Sequence, residues 1–231
     1  LSKEQEDYIP KFLTATDEAV NNSSAANQAW ENYIDMDTLA RYYIVREIMD
    51  DAESFRGSCF MHKERGKDTK LEFGPVWDFG NSFQRGHNKF IWQDPPYGAM
   101  WIGNIYKSSR FKNCVKEIWR PFLGMQYPKL DKVIDDFIER IRYAVDSNVA
   151  RWPEAYTGPI DSRKQLMKKC LSEKVEFLTK KWGKGVVNSI VSPVMASDDD
   201  TYWYTLEGRR LNRKPLSPGL YLHGRKKVVI R

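Results

Sequence analysis

The run Phe73–Phe83 constrains the fold of this chain more than any other stretch, and it reads Phe-Gly-Pro-Val-Trp-Asp-Phe-Gly-Asn-Ser-Phe. Its one carboxylate, Asp78, lies between Trp77 and Phe79, and glycines on both sides predict a tight turn. A charge among aromatic rings is costly unless it is paired or bound to a metal. The run therefore indicates a metal or phosphate site at Asp78. The alternative is an aspartate that caps the turn by accepting backbone N–H bonds.

A buried helix is predicted over Met36–Met49, before this run. Apolar side chains surround most of its circumference, which is typical of a helix at the centre of a domain. The expected N-cap is Asp35 or Asp37. Three acidic side chains follow the helix: Asp50, Asp51 and Glu53.

Two short strands are predicted next, Gly57–His62 and Lys70–Phe73, joined by a charged turn at Lys67-Asp68. This hairpin leads directly into the Asp78 turn. The order of helix, acidic segment, hairpin and turn can bring the carboxylates at 50–53 close to Asp78.

Helices are predicted on both sides of this region. Residues 1–22 show an approximate helical stripe of apolar side chains. After residue 109, one stripe ends near Pro121, a second runs from Leu130 to Val145, and a third, short helix covers Ser162–Trp182. These last three predict a supporting helical layer.

Residues 84–108 contain scattered proline, glycine and aromatic residues without a sustained period, which predicts a long ordered loop. Trp92, Tyr97 and Trp101 belong to this segment. Burial under the domain is the common fate of such rings. The alternative is a platform that contacts a glycan through residues 92–106.

The last part of the chain changes character. Val186–Met195 is apolar and β-branched, residues 198–200 form an acidic linker, and short alternating segments separated by glycine turns follow. This pattern predicts a small β appendage over residues 186–231.

Composition excludes several classes of protein. The net charge of +6 comes without a block of like charges, which gives nucleic-acid binding no support. No apolar run is long enough to cross a bilayer. Cys59, Cys114 and Cys170 have no metal-ligand spacing and are expected to be free, mostly buried thiols.

The motifs together resemble the CotH family of spore coat protein H-like secreted kinases. The resemblance is carried by the segments Asp35–Leu39, Cys59–Lys63 and Phe73–Gly80, in that order, and covers about residues 30 to 185. It implies an α+β fold in which residues 1–185 form a mainly helical, kinase-like C-terminal lobe with a short β hairpin carrying the Asp78 turn. The glycine-rich, lysine-bearing lobe that clamps phosphates is expected upstream.

The activity that the resemblance implies is metal-dependent transfer of a phosphoryl group from ATP to serine of a protein substrate. Mg²⁺ or Mn²⁺ is the implied metal, since this chemistry depends on positioning and charge neutralisation. The implied metal ligands are Asp78 and Ser58.

The remaining implied roles fall on five residues. One of Asp50, Asp51 and Glu53 would orient the acceptor hydroxyl, and Asn81 and Lys63 would contact the nucleotide.

The chain departs from the family pattern at two implied metal positions. Ser58 stands where the family has a metal-binding asparagine, and Gly80 stands where the family has a second acid after the Trp-Asp motif. A missing ligand can leave nucleotide binding while it reduces turnover. The alternative interpretation is a catalytically impaired pseudokinase, or a surface protein that uses the same scaffold to bind a protein or a glycan.

The segment Tyr204–Arg210, with Pro218–Leu222 and the final Lys-Val-Val-Ile, is similar to the C-terminal β tails of secreted Bacteroidetes proteins, some of which are sorting domains. This similarity implies a secreted or cell-surface protein whose signal peptide preceded residue 1. The alternative is a hairpin that docks on the domain.

Overall fold

A computed structural model describes the chain in two compact units, Leu1–Val187 and Asn188–Arg231. In the first unit it describes residues 2–51, 53, 55–66, 68–83, 88–93, 100–155 and 158–183. In the second it describes residues 203–205, 210–211, 214–215, 217–223 and 226–230.

Helix α2, Met36–Ile48, forms the centre of the first unit, as its apolar circumference predicts. Asp35 is the N-cap, and its side chain accepts a hydrogen bond from the backbone N–H of Thr38 at 2.8 Å. Most of the helix is buried, including Tyr42 and Tyr43. The acidic segment at the end of α2 is therefore attached to a helix that is mostly buried.

Helix α1, Lys3–Asn21, confirms the predicted N-terminal helix. It begins with a capping box in which Ser2 and Gln5 satisfy each other's backbone N–H groups. Only its last turns reach the core, where Ala19 and Val20 are buried. α1 therefore packs mainly on the outside of the unit.

The predicted hairpin forms, but its first strand is shorter than expected. Strands β1, Met61–Lys63, and β2, Leu71–Phe73, pair antiparallel, with Met61 opposite Phe73. The prediction that the strand begins at Gly57 is wrong. The backbone carbonyl of Ser58 instead accepts hydrogen bonds from the side chains of Arg46 and Tyr42, so it is not available to a sheet ladder.

The predicted loop over residues 84–108 contains helical structure in its described part, so the loop assignment is wrong there. A 3₁₀ turn covers Ile91–Gln93, and helix α3 covers Met100–Ile105, with Ile102 and Ile105 buried. A helix this short shows too few turns for its period to be read from the sequence.

The following helices are longer and more continuous than predicted. Helix α4, Ser109–Pro121, passes through a π-helical turn, Phe122–Gln126, into helix α5, Tyr127–Arg151. Proline at the end of α4 therefore does not separate the two helices. Helix α6, Ile160–Trp182, has 23 residues rather than being short.

The apolar stripes of α4, α5 and α6 do not all face the core. α4 buries Phe111, Val115 and Trp119. On α5 only Ile138 is buried, and Phe137 is 60% exposed, so the expected inward stripe is wrong for most of that helix. On α6, Leu166 and Met167 in the N-terminal half are exposed, whereas Leu171, Val175 and Leu178 are buried. α4 and the C-terminal half of α6 cover α2, whereas α5 packs beyond them.

The second unit contains a four-stranded antiparallel sheet in the order β4, β3, β5, β6. The strands are β3 Trp203–Thr205, β4 Arg210–Leu211, β5 Gly219–His223 and β6 Lys226–Ile230. The apolar stretch Val186–Met195 lies outside the described residues.

Among the helices in the described part of the chain, none combines the length and the apolar character needed to cross a bilayer.

Candidate functional site

Asp78 lies on an exposed turn directly after the hairpin. Its φ of +56° places it in the left-handed region, which aspartate tolerates better than most residues. The hydroxyl of Ser58 donates a hydrogen bond to Asp78 Oδ2 at 3.0 Å. The turn therefore presents a carboxylate to solvent in an orientation that a neighbouring buried residue sets.

The aromatic neighbours of Asp78 point in opposite directions. Trp77 is 47% exposed and packs on Phe60, with ring centroids 5.0 Å apart. Phe79 turns inward and lies against the guanidinium of Arg46 at 4.6 Å. The expectation that aromatic rings wall in Asp78 is wrong, because Trp77 and Asp78 are both exposed and only Phe79 turns inward.

Asp51 is held in the interior by Arg46. The two side chains are 1% and 0% exposed, and Arg46 Nη1 donates to Asp51 Oδ2 at 2.8 Å. The other carboxylate oxygen, Oδ1, accepts from the backbone N–H of Glu53 at 3.2 Å. Asp51 is therefore buried and connects Arg46 to the backbone of Glu53, and its predicted role at the acceptor hydroxyl stays a prediction.

Asp50 is also committed to a buried cation. Lys174 of helix α6 donates to Asp50 Oδ1 at 2.8 Å, and its ammonium lies 3.0 Å from Glu47 Oε2. The same ammonium donates to the backbone carbonyl of Lys89 at 2.8 Å. An ammonium has three protons, and these three oxygens can accept all of them. Lys174 thus ties the end of α2 to α6 and to the segment at residue 89.

Glu47 completes this buried cluster. Burial raises the pKa of its carboxyl above the ordinary value, and the nearby Lys174 opposes part of that rise. The backbone N–H of Ile91 donates to both Glu47 oxygens, at 3.1 and 3.2 Å. Burial also raises the pKa of the Tyr43 hydroxyl well above its ordinary value, and Glu47 adds to that rise. The cluster connects α2 with residues 89–92.

Glu53 differs from the two aspartates because it remains partly exposed. The side-chain amide of Asn81 donates to Glu53 Oε2, which joins the acidic segment to the turn that carries Asp78. Asp78 and Asn81 are separated by only two residues of that turn. Of the three acids that could orient the acceptor hydroxyl, Glu53 is therefore the one that the fold leaves near the surface and beside the Asp78 turn.

Lys63 lies away from this arrangement and stabilises the hairpin. Its ammonium donates to the carbonyls of Glu64 and Gly66 and to the hydroxyl of Thr69. It also lies 5.5 and 5.3 Å from the ring centroids of Tyr8 and Phe12 on α1. These contacts use its three protons and give Lys63 a structural role between the hairpin and α1. Its predicted contact with a nucleotide stays a prediction.

The described residues offer a small oxygen-rich donor set for a metal. Within them, histidine, cysteine, aspartate and glutamate side chains form no group of three that could hold an ion. Mg²⁺ is commonly held by one or two carboxylates together with water and substrate phosphates. The exposed Asp78 carboxylate, with the hydroxyl of Ser58 and the side chains of Glu53 and Asn81 nearby, fits that mode of binding.

The aromatic segment, for which burial is expected and glycan contact is the alternative, packs on the first unit in its described part. Trp92 stacks on Phe90 and donates from Nε1 to the Tyr43 hydroxyl at 3.1 Å. Trp101 donates from Nε1 to Asp17 at 2.7 Å. Tyr97 lies outside the described residues. Both tryptophans therefore pack as expected, because their rings and N–H groups find partners within the unit.

Arg46 and Lys174 were missed by the sequence reasoning. Both are fully buried, and both organise the acidic segment. The signal for Arg46 was present, since a charged residue in a helix that is apolar on nearly all sides must be paired. No comparable signal points to Lys174, which lies 124 residues from its partner Asp50.

The family model described as CotH kinase protein matches residues 1–178. The matched region contains every residue of the Asp78 turn and of the acidic segment, and it ends before the second unit. No curated protein and no solved structure matches the chain.

Proposed function

Because the chain belongs to the CotH kinase protein family, we propose that it transfers a phosphoryl group from ATP to a serine hydroxyl of a polypeptide. Asp78 would hold the Mg²⁺ or Mn²⁺ that accompanies the nucleotide, and Glu53 would contact the acceptor hydroxyl. The similarity of the C-terminal segment to tails of secreted proteins supports a secreted or cell-surface location for this activity.

The observation that carries the proposal is the hydrogen bond from Ser58 to Asp78. It fixes the orientation of an exposed carboxylate on a turn that also touches a second acid, Glu53, through Asn81. Phosphoryl transfer depends mainly on positioned charge, so a preset carboxylate beside a second acid is the arrangement that the reaction requires.

Different residues of the chain have different roles in the proposed reaction. Bound Mg²⁺ would neutralise the charge on the phosphates. Asp78 would bind that ion, and Ser58 keeps the carboxylate from rotating. Glu53 accepts the proton of the serine hydroxyl, and Asn81 holds Glu53 toward the turn. Asp50 and Asp51 contact neither substrate, since buried cations hold them in the interior.

A nucleotide-binding pseudokinase is the second candidate function. Two of the three acids expected on the acceptor side, Asp50 and Asp51, are buried in ion pairs, and Gly80 supplies no second carboxylate. These features favour binding of a metal–nucleotide complex with slow turnover. A surface protein that binds another protein or a glycan on this scaffold is the remaining alternative.

Calorimetry with MgATP and MnATP tests the shared part of both candidates. We expect the wild type to bind the metal–nucleotide complex, Asp78→Asn to lose that binding, and Asp37→Asn to keep it. Asp37 is a suitable control because it is an exposed aspartate that pairs with Arg41 at the start of α2. Wild-type protein without metal-dependent heat would overturn both candidates.

Labelled phosphate transfer then separates the two candidates. The acceptors are dephosphorylated casein and the protein itself, with phosphoserine identified by mass spectrometry. Transfer that requires Asp78 and Glu53 supports the kinase. Binding without transfer to either acceptor contradicts it and supports the pseudokinase.

A further inference from the structure

We infer that Arg46 is the positioning residue of the candidate site, because its one buried guanidinium holds both the segment that carries Glu53 and the turn that carries Asp78. The catalytic consequence rests on the function proposed above. The geometric consequence can be measured whether or not the protein transfers phosphate.

The guanidinium of Arg46 contacts three segments of chain beyond its own helix. Nη1 donates to Asp51 Oδ2 and Nη2 donates to the backbone carbonyl of Ser58, both at 2.8 Å. Its central carbon lies 4.6 Å from the ring centroid of Phe79 and 4.9 Å from that of Tyr42. The group is completely buried, so these contacts are shielded from solvent and salt.

On the acceptor side, Arg46 acts through Asp51. One oxygen of Asp51 is held by the guanidinium, and the other accepts from the backbone N–H of Glu53 at 3.2 Å. The backbone position of Glu53 thus depends on the orientation of Asp51, which in turn depends on Arg46.

On the metal side, Arg46 acts through Ser58 and Phe79. It holds the backbone of Ser58, whose hydroxyl donates to Asp78. It also packs on the ring of Phe79, the residue that follows Asp78. Asp78 is therefore held from both directions by contacts that begin at the same guanidinium.

Arginine is the residue type that can meet these demands together. Its planar fork donates in two fixed directions while its faces stack on aromatic rings, whereas lysine is a compact point charge. A buried ion pair is also weak evidence of a stabilising role, because apolar residues of similar volume can often replace such a pair without loss of folding stability. Positioning explains why Arg46 occupies this place, and stability alone does not require it.

Hydrogen exchange on Arg46→Lys tests the geometry. We expect amides around Glu53 and Ser58, and amides of the turn at residues 78–83, to exchange faster by about tenfold or more, as loss of a hydrogen bond to a charged group predicts. Exchange in α6 should stay within about twofold of wild type, since local openings are independent of distant elements. The control is Arg41→Lys, an exposed arginine on the same helix that pairs with Asp37.

Phe79→Leu provides a second variant that keeps the ion pair and removes the ring contact. It should loosen residues 78–83 and leave the amide of Glu53 unchanged. The inference is overturned if Arg46→Lys loosens only one of the two segments, or if α6 loosens to the same extent as the site.

Phosphate transfer from MgATP to casein tests the catalytic consequence. Arg46→Lys should lower kcat/KM by about tenfold or more. Ile44→Ala, on the same helix and buried, removes apolar packing but none of the hydrogen bonds of the acidic segment, and should keep kcat/KM near wild type at a temperature where both variants are folded. Equal losses in the two variants would assign Arg46 a structural role only. A wild type without transfer would contradict the proposed function, and the exchange measurement would still decide the role of Arg46.

Discussion

The hydroxyl of Ser58 donates to Asp78 Oδ2 at 3.0 Å and joins the segment before the hairpin to the turn after it. In this geometry Ser58 orients the carboxylate, which is a different role from the metal ligation that the family pattern implies for position 58. The bond restricts Asp78 before any ligand arrives.

Removing this hydroxyl should weaken metal binding moderately. We expect Ser58→Ala to raise the Kd for MnATP by about 3- to 10-fold, because one hydrogen bond contributes about 0.5–1.5 kcal/mol net. Ser147→Ala, on the exposed part of α5, should leave Kd unchanged. Calorimetry measures both, and an unchanged Kd in Ser58→Ala would contradict the orienting role.

An added acid at position 80 should strengthen metal binding. A Cβ on Gly80 would lie 3.6 Å from Asp78 Oδ1, so an aspartate there would start beside the first carboxylate. We expect Gly80→Asp to lower the Kd for Mn²⁺, measured by electron paramagnetic resonance, by about tenfold, since metal affinity rises with the charge of the ligand set. Gly80→Asn is the control of similar size without the charge. Equal affinities in the two variants would place the metal away from Asp78.

Removing the charge of Glu53 should slow transfer without weakening nucleotide binding. A general base contributes typically about 10²- to 10⁴-fold, so Glu53→Gln should lower kcat within that range. The Kd for MgATP should change by less than about threefold, because Asp78 still holds the metal. Glu72→Gln, on the exposed side of β2, is the matched control. A similar kcat in Glu53→Gln and wild type would remove Glu53 from the mechanism.

Lys174 should be among the most important residues for stability in the first unit. Removal of one partner from a buried ion pair costs about 3–5 kcal/mol, so Lys174→Met should lower the free energy of unfolding by that amount. Lys180→Met, an exposed lysine on the same helix that pairs with Glu176, should change it by less than about 1 kcal/mol. Urea unfolding followed by circular dichroism measures both, and similar losses would contradict the buried cluster.

Glu47 should make the protein less stable as pH rises. Its folded pKa is raised above the ordinary value of 4.5, chiefly by burial, so as pH rises past 4.5 the unfolded chain releases this proton before the folded protein does. Stability from this group is therefore greatest below pH 4.5 and falls as pH rises toward and through the folded pKa.

The comparison of wild type with Glu47→Gln isolates this contribution. The titratable groups around Glu47 are Lys174, Asp50, Tyr43 and Tyr106, and they are unchanged in the variant. Relative to the variant, the wild type should lose free energy of unfolding in urea titrations as pH rises from 4.5. A relative gain over that range would show that the attraction to Lys174 outweighs burial.

The central helix and the Asp78 turn could be predicted from the sequence because their causes are local. An apolar circumference requires a buried helix, and an aspartate between glycines favours a turn. The outward stripe of α5 could not be predicted, since helical periodicity identifies an apolar face but not what covers it. Phe137 and Phe111 both belong to apolar stripes at helical spacing, yet only Phe111 is buried.

The sequence by itself determined that Asp50, Asp51 and Glu53 follow the central helix and precede the Asp78 turn. Only the tertiary structure decided where each acid lies and which partner holds it, because the three carboxylates are chemically alike and their environments differ. Arg46 and Lys174 draw the two aspartates inward, one from the same helix and one from α6. Glu53 stays beside Asp78 because Asn81 holds it at the surface, where a polar group keeps its contact with water.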